Sequence, residues 1–174
     1  MKTNKRLLIL VIIGLLSIKL IAQTNVSLSI YQDAKLLVTG DDRGNDAGTI
    51  NILARVKMQG NQDKHGYLIV FPEWEYAELV GGRYARYSAN VGYVFNKLIV
   101  DNFEATASLG YGWIDRYNGA FWSVGGSAEL AYKINDTFKF SILAQATERK
   151  DLSVIWNDNA IRLSGFIGLE INIL

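Results

Sequence analysis

The chain contains no cysteine and only one proline and one histidine in 174 residues. Without cysteine there is no disulfide scaffold, zinc–thiolate site, thiol nucleophile or lipid-modified N-terminal cysteine. With His65 as the single imidazole, any site that needs two is excluded as well. A surplus of either charge is also missing. The 18 Lys+Arg face 17 Asp+Glu, a net charge of +1, and this leaves no footprint for nucleic acid. Nor is the longest apolar run long enough for a spanning helix, which takes roughly 20 residues. The chain is still no disordered tail, because 49% of it is hydrophobic and 20% charged. Its 16 Gly, nine Tyr, seven Phe and four Trp point to β-structure with packed rings.

Met1–Ala22 reads as an export signal. Lys2, Lys5 and Arg6 make a basic start, and Leu7–Leu16 is the apolar run. Extending the run to Ile21 takes in Lys19, which speaks against an uncleaved anchor. Cleavage is expected near Ala22-Gln23, although Leu20 stands where a small residue is usual. Removal takes away four basic residues and leaves 14 Lys+Arg against 17 Asp+Glu over 23–174, read as one domain.

That remainder alternates with period 2, which predicts strands. Ile50, Ile52, Ala54, Val56 and Met58 share a face, as do Tyr87, Ala89, Val91, Tyr93 and Phe95. The same holds over 103–113, 122–134, 138–146 and 161–173. Two further strands fit less cleanly. Residues 24–38 lose phase near Asp33, and 66–77 contain Pro72, which lacks a ladder donor and implies a bulge or weakened pairing. Leu98 and Val100 fall out of phase with Phe103, which suggests a bulge at Asp101-Asn102. Eight strands close antiparallel with both ends on one side. Tight turns are expected at Phe95-Asn96-Lys97-Leu98 and Asn135-Asp136-Thr137, and a somewhat longer one at 59–66. Longer loops are expected at 39–48, 78–83, 114–121 and 148–159. Short turns at one end and long loops at the other are the asymmetry of an outer-membrane barrel.

The faces differ in kind. The polar face is mostly small, with Ser88, Gly92, Thr106, Ser108, Gly110, Ser123, Ser127 and Ser141, as a narrow lumen requires. Its charges nearly balance: Arg55, Lys57, Arg86, Lys133, Lys139 and Arg162 against Glu73, Glu75, Glu104, Glu129 and Glu170. Rings on the apolar face gather near strand ends, as two membrane interfaces select. Tyr93, Phe95, Tyr132, Phe138 and Phe140 lie at one end, with Trp74, Tyr76, Tyr87, Tyr111, Trp113 and Trp122 at the other. The fold expected is therefore an all-β, eight-stranded, antiparallel up-and-down transmembrane barrel. A soluble lipocalin-like barrel alternates too, with its apolar face inside around an apolar ligand.

A leader followed by about 150 residues in eight alternating strands resembles the small OmpA/OmpX-like outer-membrane barrels. The leader ending Ile21-Ala22-Gln23 resembles those of Bacteroidetes envelope proteins. The resemblance implies an outer-membrane location and outer-membrane lipid as surroundings. It also implies a last strand read by the barrel-insertion machinery: Gly168, Ile171 and Ile173 keep that strand's spacing, while Phe166 and Leu174 depart from it. No peptidoglycan-binding domain is expected after the last strand.

Little in the sequence points to catalysis. A Ser–His site would have to be built on His65, in the 59–66 turn beside Asp63 and Lys64, and no serine is marked as its partner. Asp41, Asp42, Asn45 and Asp46 do not match the spacing of a calcium loop. Gly110-Tyr111-Gly112 sits within a strand and is no phosphate cradle. No metal and no cofactor is expected. Two candidate sites remain. One is a lumen charge cluster of Arg55, Arg86, Glu104, Glu129, Lys139, Arg162 and Glu170, either a static ion-pair plug or a narrow ion path. The other is Trp156, which either contacts a partner, itself unspecified, or sits in the outer-leaflet belt. The function expected is that of a non-enzymatic barrel with a structural or loop-binding role. A membrane enzyme or narrow channel is a further alternative.

Overall fold

The computed structural model describes residues 25–96, 102–116, 119–158 and 161–173. The leader expected over Met1–Ala22 lies outside the described residues, as do Leu98, Val100 and Asp101 of the bulge expected at Asp101-Asn102. The strands are β1 (Val26–Asp33), β2 (Asn51–Gln62), β3 (Gly66–Leu79), β4 (Gly82–Asn96), β5 (Phe103–Arg116), β6 (Gly119–Lys133), β7 (Phe138–Glu148) and β8 (Ile161–Asn172). Two short helices interrupt the meander, α1 (Ala34–Val38) after β1 and α2 (Lys150–Trp156) after β7. Each strand pairs antiparallel with the next, and β8 closes on β1. Closure leaves no sheet edge with unpaired backbone.

The register gives the shape of the barrel. Starting at Phe103 and stepping through paired residues leads to Tyr132, Phe140, Leu169, Ile30, Ala54, Trp74 and Tyr87, and returns to β5 at Trp113. One circuit therefore climbs ten residues, from 103 to 113 on the same strand, which is the shear. Ten rises of about 3.3 Å against eight spacings of about 4.8 Å tilt the strands by about 40°.

Alternation sorts the side chains as the sequence predicts. Leu109, Leu163, Ile142 and Val91 are exposed on the outer wall, while Ser29, Ser123 and Ser141 are buried inside. The lipocalin-like alternative needs the reverse. The lumen is less uniformly small and polar than expected, because it also holds Tyr31, Leu53, Leu143 and Phe166 as one apolar cluster and Tyr67, Ile69, Phe71 and Val94 as another. Phe166, noted as out of pattern, thus fills interior space. Outer rings pair at both ends: Tyr93 with Phe95 along β4 (4.8 Å) and Phe103 with Tyr132 across β5 and β6 (5.1 Å) below, Tyr87 with Trp113 (5.5 Å) and Tyr111 with Trp122 (5.4 Å) across strands above.

Four sequence expectations need correction. Residues 78–83 are not a long loop: Leu79 pairs with Gly82, which leaves Val80-Gly81 as a two-residue hairpin with Gly81 at φ +91°. Residues 114–116 and 119–121 likewise belong to strands, since Arg116 pairs with Gly119. The Phe95–Leu98 hairpin is also replaced, because Phe95 pairs with Ala105 and Asn96 with Glu104. Residues 24–38 are not one strand either. The chain keeps phase to Asp33, whose carboxylate then accepts the Leu36 N–H (3.0 Å) and caps α1. At Pro72 the register does not shift, but the β2–β3 pairs at Val56 and Lys57 drop out of the ladder, so the weakened-pairing alternative holds. The bulge in that pairing lies at Gln59–Gln62. The Asn135–Thr137 turn forms as expected: the Asn135 side chain accepts the N–H groups of Thr137 (2.9 Å) and Phe138 (2.8 Å).

Candidate functional site

The lumen carries a continuous ionic network whose charges come from seven strands, β2 to β8, that face one another across it. Glu73 on β3 accepts from Arg55 on β2 (2.7 Å) and from Arg86 on β4, and also from Ser88 (3.2 Å) and Gln145 (3.0 Å). Glu129 on β6 takes Lys57 (2.9 Å), Arg55 (3.4 Å) and the Tyr31 hydroxyl (2.8 Å). Lys57 continues to Glu170 (2.5 Å), and Lys139 joins Glu170 (3.1 Å) to Glu104 (2.7 Å). Side chains at the centre are 0–1% exposed. The Arg55 guanidinium also lies 4.9 Å from the centre of the Phe71 ring. Charges buried this deeply persist only when paired and hydrogen-bonded. Here each one is.

Six of the seven predicted lumen charges belong to this network. Arg162 does not: it stands at the long-loop mouth and binds Asp41 at 3.1 Å. Glu73 and Lys57 are central and were left out of the predicted cluster, although alternation had placed both on the polar face. Lys133 stays at the short-turn rim with Asp136 (3.0 Å).

The long-loop mouth is capped. Leu36 from α1 is fully buried against Ala77, Leu79, Tyr84 and Ile114. The Arg149 guanidinium lies 4.1 Å from the Tyr84 ring centre, and both Arg149 (2.7 Å) and Arg116 (3.2 Å) bind Asp151. Asp41 accepts from Arg162, from the Asn45 side chain (2.9 Å) and from the Arg43 N–H (3.0 Å). These donors occupy the carboxylate that a calcium loop would have to offer. Asn45 in turn accepts the Val80 N–H (2.6 Å), and Arg43 reaches Asp158 (2.5 Å), so the first and last loops form one lid. Burial pushes the Asp41 carboxyl up, but hydrogen bonds from Asn45, Arg162 and Arg43 outweigh it and hold the pKa below 3.8. Asp151 follows the same logic, with Arg149 and Arg116 outweighing its burial. Trp156 is the last residue of α2, and its side chain lies outside the described residues.

His65 sits in an exposed turn held by Asp63, whose carboxylate accepts the N–H groups of His65 (2.7 Å) and Gly66 (2.9 Å). Those hydrogen bonds keep the Asp63 carboxyl below its ordinary range. Asp63 also accepts from the Tyr93 hydroxyl (3.0 Å). The turn chemistry accounts for these contacts.

No family model and no curated protein matches the chain. Among solved structures it is similar to the Yersinia pestis outer membrane protein Ail, whose backbone structure is in a phospholipid bilayer nanodisc. Identity is 14%, the match covers 87% of this chain and 100% of that one, and the TM-score is 0.55. Neisserial surface protein A (9% identity, 86% and 97% covered, TM-score 0.48) and a de novo designed transmembrane β-barrel (10%, 86% and 95%, 0.47) also match. The likeness to Ail is one of fold, and with the closed antiparallel register it makes this chain an eight-stranded barrel of the outer-membrane type.

Proposed function

We propose that the protein is an integral outer-membrane barrel with no enzymatic activity and no open pore, acting as a structural element or through its lid. The carrying observation is the inverted distribution of polarity: exposed Leu, Ile and Val outside, bordered by paired rings, and a sealed ionic lumen inside. A water-facing barrel would have the reverse. The lid formed by 39–48 and 149–158 is the surface offered to the exterior. The expected 114–121 loop drops out of that role because 114–116 and 119–121 are the paired ends of β5 and β6. Export through the leader, outer-membrane lipid as surroundings and delivery by the barrel-insertion machinery belong to the same proposal. So does the narrower OmpA/OmpX-like, Bacteroidetes-type affiliation, which the eight-strand meander supports.

The test is fractionation followed by gel mobility of boiled and unboiled samples. A faster unboiled band in the outer-membrane fraction is expected. A soluble, heat-indifferent protein would overturn the proposal.

A further inference from the structure

The short-turn end of the barrel opens into a vestibule of about 480 Å³, floored by Tyr67 and the Lys139–Glu104 pair. Small-molecule sites run from about 300 to 1,000 Å³ and are usually apolar. Every residue lining this one carries a polar side-chain group. Its charges are paired with each other, Lys139 with Glu104 (2.7 Å) and Glu170 (3.1 Å), Lys133 with Asp136 (3.0 Å). Among the described residues that line it, no excess charge remains to recruit an ion.

Five carboxamides (Asn25, Gln59, Gln62, Asn96 and Asn172) and the Tyr67 phenol supply the remaining polar groups. Some have capacity to spare. Tyr67 is 8% exposed, yet among the described residues its hydroxyl has no hydrogen-bond partner. The Asn96 side-chain oxygen is buried and likewise has none. Leaving the buried Asn96 oxygen unsatisfied costs about 1–3 kcal/mol, and the Tyr67 hydroxyl lines the vestibule as a donor and acceptor that a ligand would engage.

We infer that the vestibule binds a neutral saccharide of one or two rings. Vicinal hydroxyls donate and accept at once, and a carboxamide matches that pattern with its NH₂ and its oxygen. A peptide fits less well. Peptide main chains are read by free sheet edges and their side chains by apolar pockets, and the closed barrel presents neither at this end. The inference concerns the barrel interior and holds whichever role the lid has.

The experiment uses the full barrel, isotopically labelled and folded in detergent micelles, with folding checked by the heat-dependent mobility shift before titration. The probes are an N-acetylglucosamine disaccharide and, separately, N-acetyl-triglycine amide. Saturable shifts of the Gln62, Asn96 and Asn172 side-chain signals are expected with the disaccharide alone. Tyr67→Phe and Gln62→Ala should each weaken binding by about fivefold, as the loss of one neutral hydrogen bond implies. Should Tyr67→Phe lack the folded band, Gln62→Ala at the open rim decides. Absence of saturation, equal binding of the peptide, or wild-type affinity in the folded variants would overturn the inference. A folded barrel that binds nothing would leave the outer-membrane proposal intact.

Discussion

At the residue scale, Glu73 carries more of the lumen than any charge predicted for the cluster. Its two oxygens serve two guanidinium groups and two neutral donors, all in a space closed to water. Replacing one partner of a buried pair costs about 3–5 kcal/mol, because the other charge stays buried. Glu73→Gln should therefore lower stability by about 3 kcal/mol, read as a drop in the urea midpoint of the micelle-folded barrel. Arg83→Gln is the contrast. Its pairing with Asp115 is long (3.9 Å) and exposed, so the same measurement should move by less than about 1 kcal/mol. The lumen's small residues follow the same economy of space. A Cβ on Gly112 would stand 1.9 Å from the Tyr87 carbonyl oxygen, and one on Gly168 2.5 Å from the Tyr31 ring that donates to Glu129. Gly112 lets the β4 backbone approach closely, and Gly168 leaves room for the Tyr31 ring inside the narrow barrel.

At the element scale, the lid is held by two carboxylates that are easier to ionise than usual. Because the folded pKa values of Asp41 and Asp151 lie below the unfolded 3.8, their contribution is complete above that value and is lost as pH falls through the folded ones. Hydrogen-exchange protection over 41–46 and 150–153 should therefore hold at pH 5 and weaken progressively as pH is lowered below 3.8, while the β-strand amides stay protected. Loss of lid protection already at pH 5 would contradict this. The lid was also the part least legible in the sequence. α1 and α2 have five and seven residues, too short to show a helical period. The ends of β3, β4 and β5 were missed for a different reason. Above the apolar band the outward residues are Glu78, Arg83 and Asp115, so alternation loses its hydrophobic signal although the ladder continues. Within the band, one face meets a filled lumen and the other an apolar wall, so the pattern Ala105, Ala107, Leu109, Tyr111 and Trp113 reads directly as the outer face. The lumen charges were legible as a set because they share that alternation. Their partners were not, since Lys57–Glu170 and Arg162–Asp41 join residues 113 and 121 positions apart. Only closure of the barrel brings such residues together.

At the scale of the whole molecule, shear and tilt set the height of the apolar band. With strands tilted by about 40°, one residue rises about 2.5 Å along the axis and one strand step about 3 Å. On that scale Phe103 and Trp113, ten residues apart on β5, are separated by about 25 Å. The lower rings cluster near the first level and the upper rings toward the second, which agrees with a lipid-facing band about 25 Å tall. The upper rings Trp74, Tyr87, Trp113 and Trp122 lie in one paired row across β3 to β6, while β8 carries Leu163 and Ile161 at its corresponding end. Aromatic anchoring is thus one-sided at the lid end, and the match to bilayer thickness rests mainly on band height. A typical hydrocarbon core of about 30 Å is thicker than this band, and mismatch costs fractions of a kcal/mol per Å. Refolding from urea into phosphatidylcholine vesicles should then give a larger heat-shifted fraction with 12-carbon than with 18-carbon acyl chains. Shortening the upper border by Trp113→Ser and Trp122→Ser should widen that difference, because the remaining band on β5 and β6 ends lower still. Equal yields in both lipids would mean that the lid and β8, rather than the ring-bordered wall, set the depth at which the barrel sits.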